Sequence, residues 1–320
     1  MGRKNPGDDV AASRPRRPSL LNRALAVLAL PVAPLYATFL SYLVYHPPRR
    51  PHHRSPQEFG LPSTELTIPL DGGKEGKGRS LHIWLCPGSK DRVVVIGHGI
   101  GLSKSASLAQ ARFLHEAGYT VAMFDHRNHG LSSTDRAFWG LSGRHTDDVE
   151  RVVNHLREKG GYGAARFAVF GFSFSTFPSF YLLRRPDCGI EAIVCDSGPA
   201  LELPPLFRNF IMAKGVPVPA PLRTAPSLGL LSRVFGSVGT AMLQAQWPPP
   251  ADGAYTRTPV LMMVGDSDRI IPVDSVRALA ARYPKAEVRV LPDTDHLQGM
   301  KSCPEEYQET VLDFLKRAFG

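Results

Sequence analysis

Short runs that are apolar at nearly every position recur along this chain, at Arg92–Ile96, Thr120–Phe124, Phe167–Phe170, Ala192–Cys195 and Val260–Val264. A strand with one wet face alternates apolar and polar side chains. Uninterrupted runs therefore imply strands covered on both faces. Further strand-like runs lie at Glu65–Leu70, Leu81–Cys86 and Val288–Leu291. Helical periodicity fills the gaps. "TDDVERVVNHLREK" sets Val149, Val152, Val153 and Leu156 on one stripe, with acids in what reads as its first turn. "PEEYQETVLDFLKRAFG" opens on Pro and two Glu, stripes Tyr307, Val311, Phe314 and Leu315, and closes on Lys, Arg and Gly. The opening strands read as an antiparallel edge. The βαβα alternation after them predicts an α/β domain with a mostly parallel, doubly wound sheet.

One stretch breaks the alternation. From Leu201 to about Thr258 the chain is rich in Pro and apolar residues, too long for a connecting loop in a compact domain. It reads as an inserted lid of short helices.

The net charge of +9 raises the question of a nucleic-acid partner, so its location matters. Residues 1–60 hold Arg3, Lys4, Arg14, Arg16, Arg17, Arg23, Arg49, Arg50 and Arg54 against Asp8, Asp9 and Glu58, and carry +6 of the total. A groove tracking phosphates needs its charge on the folded domain. No nucleic-acid partner is expected.

Within that arm, "ALAVLALPVAPLYATFLSYLVY" (Ala24 to Tyr45) carries no charge. As a helix it would span roughly 30 Å, about one hydrocarbon core. Tyr42 and Tyr45 suit an interfacial aromatic girdle. The run is expected to be an N-terminal membrane-spanning helix or uncleaved signal anchor. An apolar helix packed on the domain is the competing reading. More Lys and Arg precede the run than follow it, which favours an extracytoplasmic catalytic domain. The organisation expected is a basic tail at 1–23, the membrane helix at 24–45, a proline-rich linker at 46–60 and one domain at 61–320 with its lid at about 201–258. The linker, "HPPRRPHHRSP", reads as an extended spacer holding the domain off the membrane.

The four cysteines, Cys86, Cys188, Cys195 and Cys303, have no CxxC spacing and no His/Cys cluster, so no metal site is expected from them. Cys195 reads as a small core residue.

Four pieces carry chemistry. "VVVIGHGIG" leaves a buried strand through His98-Gly99-Ile100-Gly101, where glycines let the backbone turn tightly. Alone, that is an ordinary strand exit. "FAVFGFSFST" places Ser173 between Gly171 and Ser175. A nucleophile on a sharp strand-to-helix turn needs small residues two places to either side. The same serine could instead simply cap the helix. "LMMVGDSDRIIP" sets Asp266 and Asp268 just past a strand's carboxyl end, where parallel sheets bind ligands. "VLPDTDHLQG" places His296 shortly after the last strand. Each has a bland reading as a turn, a cap or a lone histidine. Together they run Ser, Asp, His, each after a strand.

From about Phe59 onward the sequence resembles the α/β-hydrolase superfamily, through HGIG, "FDHRNHGLS", GFSFS, "GDSDRIIP" and the terminal Asp295-His296. The segment "EFGLPSTELTIPLDGG" and its sequel also resemble membrane-anchored bacterial hydrolases. The resemblance implies the α/β-hydrolase fold, with Ser173 as nucleophile, His296 as general base and Asp268, ahead of Asp266, orienting the histidine. It implies an oxyanion hole from the backbone N–H groups of Phe174 and Ile100. Asp125, Arg127, Gly130 and Ser132 match the D-x-R-x-x-G-x-S loop that shapes the site in that family. Ser175 departs from the commoner glycine. No metal or organic cofactor is implied.

The expected reaction is cleavage of a carboxylic ester or thioester through an acyl-enzyme. The lid's Leu206, Phe207, Phe210, Ile211, Met212, Leu230, Leu231, Val234, Phe235 and Trp247 suggest a lipid-like acyl group, or else the lid's own small core. Rival readings are a serine aminopeptidase, with Glu202 holding the substrate amine, and a non-catalytic binding protein on a hydrolase fold.

Overall fold

A computed structural model describes residues 31–70, 78–213 and 215–320. In chain order the elements are α1 (Val32–Tyr45), β1 (Thr64–Pro69), β2 (Ser80–Cys86), β3 (Arg92–Gly97), α2 (Leu108–Glu116), β4 (Thr120–Phe124), α3 (Leu141–Glu158), β5 (Arg166–Phe172) and α4 (Thr176–Tyr181). They continue with β6 (Ile190–Asp196), α5 (Leu203–Met212), α6 (Ala225–Leu243), β7 (Val260–Gly265), α7 (Val273–Ala280), β8 (Ala286–Leu291), α8 (Gly299–Ser302) and α9 (Pro304–Phe319). The strands form one sheet in the order β1-β2-β4-β3-β5-β6-β7-β8. The β1–β2 and β2–β4 pairs are antiparallel, and every later pair is parallel. This is the α/β-hydrolase arrangement.

The continuous apolar runs serve two cores at once. On β3, Val93 and Val95 pack toward α3, α4 and α7, while Val94 and Ile96 pack toward α2 and α9. Successive side chains on a strand point to opposite faces, so a strand covered on both sides must be apolar at every position. The stripe Val149, Val152, Val153 and Leu156 lies in the first core. Tyr307, Val311, Phe314 and Leu315 lie in the second.

Two local expectations change. Helix α3 begins at Leu141, so Asp147 and Asp148 sit inside it rather than in its first turn. Asp148 is buried and receives Arg127 Nη2 at 2.6 Å and Nε at 2.7 Å. Its charge answers a guanidinium, not the helix end. The lid also differs from a set of short helices, since α6 alone runs 19 residues.

The expected membrane span at 24–45 falls partly outside the described residues, at 24–30. What is described of it, α1, is a 14-residue helix of roughly 21 Å at 1.5 Å per residue. Among the described residues no helix is long and apolar enough to cross a membrane. Instead of standing free, α1 lies along α6. Ala33, Ala37 and Leu40 are fully buried there with Leu231, Phe235 and Met242. Tyr45 Oη donates to Gly239 O at 3.0 Å, Ser41 Oγ to Phe235 O at 3.2 Å and Tyr36 Oη to Pro217 O at 2.9 Å. On the inward face of α1, apolar side chains that suggested a span have a packing partner on the protein itself. The competing sequence reading describes this helix.

The segment after α1 is likewise fastened rather than a free spacer. Arg49 donates to Gly130 O and Thr134 Oγ1, and His52 Nε2 lies 2.9 Å from Asp125 Oδ2. A 3-10 turn, Pro56–Phe59, leads into the sheet.

Candidate active site

Ser173 follows β5 directly and holds φ 47°, the left-handed region that costs a non-glycine residue energy and persists only when its surroundings enforce it. The enforcement is visible at Gly171, where an added Cβ would stand 2.6 Å from Ser175 O. Only glycine fits, because the chain doubles back over it. Ser173 therefore sits on a strand-to-helix elbow with its side chain partly exposed, and the helix-cap reading accounts for none of this strain.

Ser173 Oγ lies 2.8 Å from His296 Nε2, and His296 Nδ1 lies 2.7 Å from Asp268 Oδ2. Asp268 is held from its other oxygen: Oδ1 accepts the backbone N–H groups of Ile270 at 2.8 Å and Ile271 at 2.9 Å. That leaves Oδ2 aimed at the imidazole. Asp266 takes no part. It is exposed and accepts from Ser267 Oγ and the Thr294 N–H, and its carboxyl is lowered chiefly by a backbone bond from Asp293. Ile100 and Phe174 both line the cavity beside Ser173.

The departure from glycine at 175 has a structural counterpart. Ser175 is fully buried, and its Oγ lies 2.9 Å from His126 Nε2. A side chain at Gly97 would meet that hydroxyl at 2.0 Å, so the end of β3 has to be glycine as well. His126 belongs to a buried histidine cluster that sequence reasoning did not assemble. His98 Nε2 accepts the His126 N–H at 3.1 Å. His129 Nε2 accepts the Gly101 N–H at 3.0 Å while its Nδ1 donates to Arg127 O, which assigns its neutral tautomer. Burial pushes His129 down to about 3, and drives His98, His126 and His145 below their ordinary value. These neutral rings tie the HGIG turn to the D-x-R loop and the elbow.

The rest of that loop is also structural. Burial alone would raise the Asp125 carboxyl, but His52, Lys104 and the Lys104 N–H outweigh it and hold it far below the usual range. Lys104 Nζ sits 2.6 Å from Asp125 Oδ2. Nearby, His126, His145 and Asp148 converge, yet both oxygens of Asp148 already receive Arg127.

A second missed residue is Asp196 at the end of β6. It accepts Tyr307 Oη at 2.7 Å and Ser197 Oγ at 2.9 Å, and burial raises its carboxyl. Ser197 Oγ in turn accepts the Leu297 N–H at 2.9 Å, bracing the turn that carries His296. The available signal was the one that picked out Asp266 and Asp268, an acid at a parallel strand's carboxyl end.

Above Ser173 opens an apolar cavity of about 90 Å³. Phe174 and Phe177 form one side, and Leu206, Phe207 and Phe210 of α5 another. Val44 and Tyr45, at the end of α1, close it. Among the described residues, no charged side chain lines it. The other lid residues divide: Ile211, Leu231 and Phe235 are buried in the cluster that includes the inner face of α1, and Met212 is exposed. All four cysteines are free, and burial raises the Cys86 thiol to about 11.

Fold and site together define a serine hydrolase of the α/β-hydrolase class. A family model described as serine aminopeptidase, S33, matches residues 88–247, half of the chain. The chain belongs to that family. YfhR of Escherichia coli (strain K12) is 24% identical over 253 residues, covering 76% of this chain and 78% of YfhR. Human ABHD8 is 24% identical over 259 residues, covering 72% of this chain, which spans only 56% of ABHD8. Among solved structures, the Pyrococcus furiosus esterase Pf2001 superposes with a TM-score of 0.66 at 23% identity, over 86% of this chain and 98% of the esterase. A bacterial membrane phospholipase A superposes at 0.58 and 18% identity, over 93% and 96%.

Proposed function

We propose that Ser173, His296 and Asp268 are a catalytic triad and that the substrate is a carboxylic ester with an apolar acyl group. The carrying observation is the unbroken Ser173–His296–Asp268 relay at 2.8 and 2.7 Å, opening into a cavity that no charged side chain among the described residues lines. Ser173 Oγ attacks the ester carbonyl carbon as its proton passes to His296 Nε2, and Asp268 keeps Nδ1–H oriented. The tetrahedral oxyanion faces the N–H groups of Phe174 and Ile100, each such donor typically supplying about 3 kcal/mol in the transition state. Collapse expels the alcohol, which takes the proton from Nε2. Water, deprotonated by the same nitrogen, then releases the acid.

The family description favours an aminopeptidase as the second reading. A free substrate amine would need an acid in the cavity, and among the described residues none lines it. Glu202 is exposed, outside the cavity wall.

A panel of aryl esters of increasing acyl length, set against aminoacyl amides, tests the choice. Esters of medium and long chains are expected to turn over fastest. Faster turnover of the aminoacyl amides would overturn the ester reading. Val44→Trp, which fills the cavity, is expected to lower kcat/KM for long-chain esters by roughly tenfold or more while sparing acetate esters.

A further inference from the structure

Helix α1 carries no charged residue, although one of its faces meets water. A surface helix of a globular protein ordinarily sets charged and polar groups there. Here the outward stripe is Val32, Leu35 and Phe39, at 50%, 75% and 54% exposure, spaced three and four residues apart. It continues sideways. Tyr42 stacks on Phe138 with ring centroids 6.1 Å apart, and Phe138 packs edge-on to Trp139, itself 52% exposed. Such a contiguous exposed apolar surface marks a contact site.

We propose that this face docks on an anionic phospholipid bilayer, with α1 lying in the interface rather than crossing it. Three observations choose a bilayer. The uncharged run continues upstream of α1 through Ala24, and Arg14, Arg16, Arg17 and Arg23 precede it in the sequence. Exposed Arg50 and Arg54 follow α1, so basic residues flank the apolar stripe on both sides along the chain. An exposed apolar stripe flanked by cations suits anionic headgroups, whereas two copies of this chain would bring like charge together. The inner face of α1 is committed to α6 by buried side chains and by hydrogen bonds from Tyr36, Ser41 and Tyr45 to lid carbonyls. A crossing helix would have to give these up, and one lying flat keeps them. The other end of the same helix, Val44 and Tyr45, walls the acyl cavity. This places docking beside the route of a lipid-like substrate. Its use in catalysis rests on the ester reading, but docking itself does not.

The test is flotation of the purified full-length protein with vesicles of phosphatidylcholine alone or with about one-third phosphatidylglycerol. Wild type is expected to float with the anionic vesicles and to be released by high salt. The double variant Leu35→Asp/Phe39→Asp is expected to bind at least roughly tenfold more weakly, with unchanged turnover of a soluble short-chain ester. Wild type that stays unbound, or a double variant that floats like wild type, overturns the proposal. So does a wild-type dimer that the double variant turns into a monomer, because the stripe would then belong to a second copy. Vesicle binding without ester turnover would leave docking standing and sink the ester reading alone.

Discussion

Two serine–histidine pairs sit two residues apart at one elbow, and they have opposite characters. Ser173 meets His296 at 2.8 Å, and Ser175 meets His126 at 2.9 Å, so the contact distance does not separate them. The surroundings do. His296 has a carboxylate on its far nitrogen and a side chain 18% exposed, with its serine opening on a cavity. His126 is completely buried, and its far nitrogen, Nδ1, has no hydrogen-bond partner among the described residues. Burial holds His126 neutral, aided by His98, His145 and His129 around it. An imidazole whose charged form is opposed by burial is a poor store for a serine's proton. The first pair has the parts of a proton relay, while the second is a bolt between the elbow and the D-x-R loop.

The contrast is easiest to break at the serines. Ser173→Ala is expected to abolish labelling by a fluorophosphonate probe and to lower kcat by on the order of 10⁴-fold or more. Ser175→Ala should keep the labelling and stay within about tenfold of wild type. Strong labelling of the Ser173 variant would reverse the assignment of the two pairs. The carboxylates sharpen it next. Asp268→Asn should cost about 10⁴-fold in kcat by spoiling the orientation and tautomer of His296. Asp266→Asn should change it less than about twofold. A comparable loss in both would mean that Asp266 shares the orienting role assigned to Asp268.

A smaller effect concerns stability. Ser175→Gly restores the commoner elbow residue but strands His126 Nε2 without a partner, and should lower unfolding free energy by about 1 kcal/mol in urea titration. Unchanged stability would show that the second pair holds nothing. The weakest expected signal is pH dependence. His98, His126, His129 and His145 all titrate lower in the folded protein than when unfolded. Below about pH 6.5 the unfolded chain binds protons that the folded protein refuses, so stability falls with falling pH, by roughly 1 kcal/mol per unit for each such group. For His129 the loss continues until about pH 3. Among the described residues His145 has no hydrogen-bond partner on either nitrogen, so His145→Leu should flatten this slope while leaving turnover at pH 7.5 intact. An unaltered urea midpoint between pH 7.5 and 5 would contradict the buried, neutral cluster.

Much of this was written in local pattern. All eight strand-like runs became strands, and the five central ones, β3 to β7, are apolar at nearly every position because a strand shielded on both faces has almost no place for a polar side chain. Ser173, an acid after β7 and His296 were legible from their order after β5, β7 and β8, and the fold brings Ser173, Asp268 and His296 together. The choice of Asp268 over Asp266 came through resemblance. Its physical ground, two backbone N–H groups fixing one oxygen so that the other faces His296, exists only in three dimensions.

The sequence by itself determined a two-sided parallel sheet and the residues standing at its carboxyl edge, since strand periodicity and strand-exit motifs are local. It could not say what the apolar run before Tyr45 would pack against. An uncharged helix suits lipid and a protein groove equally, and composition contains no term for the partner. Only the tertiary structure laid α1 along α6, buried Ala33, Ala37 and Leu40 there, and brought Val44 and Tyr45 over Ser173. Likewise, one histidine in the second half of the chain was readable as a base by its place after a strand. The four that pack beneath the elbow acquire their neutrality from burial, which depends on contacts among segments scattered from Gly97 to Asp148.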